Sequence, residues 1–97
     1  MPEFVVERYD SGLGVGRLRL DRGALETAAA TMRAEGHVIE VLDLTLVPSE
    51  GWTVARVRCG SARTVALLHE RASVPYERIS EAIEVGAGVT ERGAEDA

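Results

Sequence analysis

Apolar positions repeat along this chain with two different periods. From Glu3 to Tyr9 they alternate, with Phe4 and Val6 on one side, which predicts a strand. Leu25, Ala28, Ala29 and Met32 then recur at helical spacing and leave Glu26, Arg33 and Glu35 outside a narrow apolar stripe. Asp21 is the predicted N-cap of this helix, with Leu20 and Leu25 placed as a hydrophobic staple and Gly36 as its stop. His37 to Val47 is rich in β-branched and aliphatic residues and is closed by Pro48. Pro48 to Gly51 has turn composition, and Trp52 to Cys59 alternates again, so the two runs predict a hairpin. Ser61 is the predicted cap of a second helix that ends near Ser73, with Val65, Leu68 and Ala72 inward. After Pro75, the alternation from Ile79 to Val85 predicts a last strand with Ile79, Ile83 and Val85 on one face.

Strand, helix, strand, strand, helix, strand is the order of the split βαβ, ferredoxin-like α+β fold, with both helices on one face of an antiparallel sheet. Residues 1–85 form that domain, and residues 86–97, GAGVTERGAEDA up to its last Ala, are expected to be a flexible acidic tail. The sheet's second face then needs an explanation. With Phe4, Val6, Leu42, Leu44, Leu46, Ala55, Val57, Cys59, Ile79 and Ile83 turned toward the helices, the alternation puts a mixed set on the other side. It comprises Val5, Glu7, Tyr9, Ile39, Val41, Asp43, Trp52, Val54, Arg56, Arg58, Ala82 and Glu84. Trp52, Val54, Val5, Ile39 and Val41 together are more apolar surface than a monomer usually exposes. A homodimer that packs sheet on sheet, as a two-chain α+β barrel around a cavity, is the simplest cover.

Length and composition narrow the class. A chain of 97 residues, 45% hydrophobic and 28% charged, builds one small globular core. The net charge of −5, with all its cations Arg, argues against nucleic acid and anionic membrane surfaces as partners. Cys59 is the single cysteine, so no disulfide closes within the chain and a reducing cytoplasm is the expected compartment. The opening residues carry acids early and do not read as a secretory signal. No apolar run approaches the ~20 residues of a membrane span.

Candidate chemistry is sparse. Gly12, Gly14 and Gly16 suggest a phosphate loop, but Arg17 stands where the third glycine of a dinucleotide fingerprint belongs and no Gly-Lys-Ser/Thr occurs. A flexible loop is the expected reading. Glu7, Tyr9, Asp43, Trp52, Arg56 and Arg58 are the candidate ligand-binding residues of the open face. They fit a polar-ligand cavity with an aromatic wall, and they also fit cross-strand ion pairs alone. His69 is a weak metal candidate near the border of the second helix, His37 starts a strand, and Cys59 reads as a buried structural thiol. No known catalytic motif is present. A small ligand-binding homodimer is the leading expectation, and a small dimeric α+β-barrel enzyme acting on an apolar metabolite is the alternative.

Three segments carry a family resemblance: MPEFVVER, then RLRLDRGALETAAATMRAEGHVIEVL, then ALLHERASVPYERISEAIEV, the last with Val74, Pro75, Arg78 and Ile79 between helix and strand. Over about residues 1–85 the chain resembles small bacterial ferredoxin-like proteins of largely unknown function that include a nickel-binding member from actinomycetes. The resemblance implies the fold and a dimer, and it brings in nickel as a candidate ligand. Where relatives carry His in the second strand, Cys in the third and His in the second helix, this chain has Leu42, Ala55 and Leu68, with His69 one place away.

Overall fold

The computed structural model describes residues 1–83 and Val85; Glu84 and residues 86–97, which include the expected acidic tail, lie outside the described residues. Strand β1 (Glu3–Tyr9) leads into helix α1 (Val15–Ala34). Strands β2 (Ile39–Val47) and β3 (Trp52–Cys59) form a hairpin, and helix α2 (Ala62–Ala72) returns the chain to strand β4 (Arg78–Ala82). All neighbours pair antiparallel in the order β2-β3-β1-β4. This is the ferredoxin-like α+β arrangement.

Helix α1 begins six residues before Asp21. Gly14 is its N-cap, in an extended conformation and with no side-chain cap bond. Asp21 is therefore a mid-helix residue, and Leu20, 71% exposed, forms no staple. The buried stripe runs Asp21, Leu25, Ala28, Ala29, Met32, so an acid occupies one of its inward positions. At the other end the amide of Gly36 donates to Arg33 O and that of His37 to Met32 O. This is a Schellman closure that needs the positive φ of 100° at Gly36. Helix α2 starts as its sequence predicts: the Ser61 hydroxyl accepts from the Thr64 amide at 3.3 Å.

The β2–β3 pairing departs from simple alternation. Ile39 faces Cys59 and Val41 faces Val57, but the next pair is Asp43 with Arg56, so Leu42 is an extra residue in a β-bulge. Ile39 and Val41, expected on the open face, consequently lie in the core at 3% and 5% exposure. Leu44 keeps its expected inward side opposite Ala55, whereas Leu42 is half-buried at the bulge. A second correction concerns the last strand. It ends at Ala82, and Ile83, expected inward, is 88% exposed beyond it, as is Val85 at 80%.

Between sheet and helices, Leu25, Met32, Val57, Val65 and Leu68 are completely inaccessible, and Phe4, Val6 and Val74 nearly so. Each such side chain contributes about 1.5–3 kcal/mol by leaving water. No helix among the described residues is long and apolar enough to cross a membrane.

Candidate functional site

Strand β3 positions the open face. Its strict alternation buries Thr53, Ala55, Val57 and Cys59 and sends Trp52, Val54, Arg56 and Arg58 to the other side. Pairing with β1 sets Glu3 beside Arg58, Val5 beside Arg56, Glu7 beside Val54 and Tyr9 beside Trp52. The bulge restores β2 to phase, so that Asp43 joins the same surface opposite Arg56. All six candidate residues, Glu7, Tyr9, Asp43, Trp52, Arg56 and Arg58, thus share one face of the sheet.

They form two groups, not one. At one end Arg56 holds Asp43 in a fork, Nη2 to Oδ2 at 2.7 Å and Nε to Oδ1 at 3.2 Å, and donates through Nη1 to Glu3 Oε1 at 3.2 Å. Arg58 continues the net, to Glu3 Oε2 at 3.1 Å and to Glu40 Oε1 at 3.3 Å. The Arg56 guanidinium holds the Asp43 carboxyl below its usual range, chiefly by hydrogen bonding and also by charge, against a smaller opposing effect of burial. At the other end the Tyr9 and Trp52 rings stack with centroids 6.2 Å apart. Tyr9 OH donates to Glu7 Oε1 at 3.2 Å, and Arg78 Nε donates to the same oxygen at 3.1 Å. Val5 and Val54, half-buried, lie between the groups. Glu3, Glu40 and Arg78 are members of the face that sequence reasoning missed, because their roles depend on register between strands.

His69 is on the opposite side of the sheet. It is 3% exposed in the last turn of α2, with Nδ1 3.1 Å from Val74 O and the Tyr76 ring edge-on at 5.4 Å. Burial pushes its pKa below the ordinary value, more than the Val74 hydrogen bond and the Asp21 charge push it up. It therefore does not join the open-face candidates. Near it is a charged pair of the interior: Arg8 Nη1 donates to Asp21 Oδ2 at 3.0 Å, with side-chain exposures of only 12% and 8%. The sequence did carry a sign of this pair, for Arg8 shares the inward phase of Phe4 and Val6, and Asp21 that of Leu25.

Among the described residues no three His, Cys, Asp or Glu side chains gather as a metal would require. Two of the positions where nickel ligands were sought, Ala55 and Leu68, are core residues, and Leu42 stands at the bulge. The donor set of the described residues does not fit a nickel site within one chain. The Cys59 thiol is buried and donates to Ser61 O at 3.3 Å; burial raises its pKa, which makes it a poor nucleophile. Gly14 is the N-cap of α1 and Gly16 lies in its first turn, so the glycine stretch is in part helical and not the expected flexible loop throughout. Arg17 in place of a third glycine still departs from the dinucleotide fingerprint.

No model of a known protein family matches the chain, and no curated protein does so. Among solved structures the chain is similar to SCO4226 of Streptomyces coelicolor A3(2), known from a crystal structure. The TM-score is 0.70 and the identity 20%, over 87% of this chain and 99% of that one. At that identity the likeness concerns the fold, which the two chains share across nearly the whole of the Streptomyces protein.

Proposed function

We propose that this chain is one half of a cytoplasmic homodimeric ferredoxin-like binding protein, whose two sheets face each other and enclose a small ligand. One observation carries the reading: on a single sheet face, the Tyr9–Trp52 stack continues through Val5 and Val54 into the Arg56 ion-pair net. An aromatic or aliphatic body fits against the rings, and a polar group fits toward the guanidiniums. The face also suits a second copy of itself. Among the described residues it carries four carboxylates, Glu3, Glu7, Glu40 and Asp43, against three guanidiniums, Arg56, Arg58 and Arg78, so like patches can meet opposite ones about a two-fold axis.

Binding fits the face better than catalysis. Asp43 is held ionised as a weak base, and His69, the described group closest to a proton-transfer role, lies across the sheet. Nickel is not the ligand we favour, because the donor set above does not suit it. The lone buried thiol of Cys59 is consistent with a reducing compartment.

Sedimentation equilibrium over a concentration series tests the dimer. Val54→Asp, which puts a charge at the centre of the face, should shift the mass from two chains to one without changing the far-ultraviolet circular dichroism. A wild-type chain that stays monomeric throughout would overturn the proposal. For the cavity, the probe is anilinonaphthalenesulfonate, an aromatic body with an anionic group. It should quench the single tryptophan, Trp52, by energy transfer, and Arg56→Ala should weaken that binding.

A further inference from the structure

On the helix side of the sheet, β1, β3, α1 and α2 bring Arg8, Thr53, Asp21 and His69 to the walls of one small cavity of about 20 Å³. The remaining walls are apolar, among them Val6, Leu25 and Leu44. The His69 side chain defines what this cavity can hold. Its Nδ1 lies 3.1 Å from the Val74 carbonyl, which can only accept, so Nδ1 carries the proton. In the neutral ring Nε2 is then a lone-pair acceptor. It is buried, and among the described residues no group donates to it.

We propose that this cavity is a binding site for one ordered water molecule, which donates to His69 Nε2. Three properties select the occupant. Size comes first: about 20 Å³ exceeds the roughly 10–15 Å³ of such space that one water needs, and leaves no room for a larger ligand. Charge comes second. A cation would lie beside the Arg8 guanidinium, while Asp21 already accepts from Arg8 at 3.0 Å and from Arg17 at 3.2 Å. An anion would meet the Asp21 carboxylate and the Nε2 lone pair. Hydrogen-bond capacity comes third, since the occupant must donate to Nε2 and complete its own bonding at walls to which the polar residues Thr53 and Arg8 contribute. Water meets all three conditions.

The water joins α2 to the layer formed by β1, β3 and α1, and it gives the buried Nε2 the partner that a native interior normally supplies. It lies across the sheet from the proposed ligand face, so its failure would leave that reading untouched. Two measurements on the full chain decide it. A crystal structure at atomic resolution should show one isolated density peak at about 2.7–3.2 Å from Nε2. Nitrogen-15 long-range correlation spectra of the histidine ring should show the Nδ1–H tautomer at neutral pH, with a cross-relaxation contact between a long-lived water and the His69 ring protons. In His69→Phe the density peak should vanish; should that variant not fold, the wild-type spectra alone decide. A dry cavity, an Nε2–H tautomer, or a protein hydroxyl bonded directly to Nε2 would overturn the proposal.

Discussion

Asp21→Asn separates two physical accounts of one residue. As a helix N-cap, Asp and Asn are equivalent, and the exchange would change stability by less than about 0.5 kcal/mol. As the buried partner of Arg8 the outcome is different. Asn keeps the shape and one acceptor oxygen, but it removes the charge and turns an NH₂ group toward either Arg8 or Arg17. Removing one member of a buried ion pair costs about 3–5 kcal/mol. Arg8 also reaches Asp10, at 3.3 Å, but Asp10 is 44% exposed and compensates only in part. The Arg17 contact is at the surface, with Arg17 57% exposed, and adds about 0.3–0.5 kcal/mol. The expected loss is about 2–3 kcal/mol, or about 10–20 °C in Tm for a domain of this size. Urea unfolding at neutral pH, followed by Trp52 fluorescence and by circular dichroism, measures it. A loss below about 0.5 kcal/mol would refute the buried-pair account. Replacing Arg8 and Asp21 together with Leu should cost less than Asp21→Leu alone, because no charge is then left buried without its partner.

Stability should also fall on mild acidification. The folded-state pKa of His69 lies below its ordinary value of 6.5, so below that pH the unfolded chain takes up a proton that the folded chain does not, at a slope of up to about 1.4 kcal/mol per pH unit. The slope ends at the folded-state pKa, and His69→Phe should flatten the limb of a denaturation series just below pH 6.5, as checked at about half-unit steps. The lowered Asp43 carboxyl adds a separate acid limb, present above its ordinary value of 3.8 and lost as pH falls through the lower folded value. Gly51→Ala should destabilise by about 1–3 kcal/mol in the same urea assay. Gly51 has φ of 67°, and an added Cβ would lie 3.0 Å from Ser11 Cα.

Where one element obeys one period, the fold was legible in the chain. Strands β1 and β3 alternate without interruption, and both occupy the bounds their patterns predict. Ser61 announces α2 because its hydroxyl has one local task, which it performs. The start of α1 was hidden by its own core stripe. An acid ahead of an apolar stripe reads as a cap, and glycines ahead of the acid read as a loop, unless an inward-facing Arg elsewhere is recognised as its partner. That partner, Arg8, is thirteen residues away on another element. His69 was legible as a packed helix residue, but its cavity was not, since five elements contribute walls that no single period connects.

The bulge at Leu42 weakens one part of the argument for a covered face and sharpens another. A single extra residue reverses strand phase without altering composition, so Ile39 and Val41 read as open-face groups although they belong to the core. Without them the apolar part of the face reduces to the Tyr9–Trp52 stack with Val5, Val54 and their small neighbours. The remainder is a set of ion pairs, half exposed and each worth about 0–1 kcal/mol. Such a surface, apolar at one end and charged at the other, resembles a non-obligate interface more than a core divided in two. The proposed dimer should therefore dissociate on dilution, and the chain should remain folded when it does, because its own core is complete on the helix side. Added salt should promote dissociation as far as charges paired across the interface hold the copies together, and should have little effect if the aromatic end and its valines do.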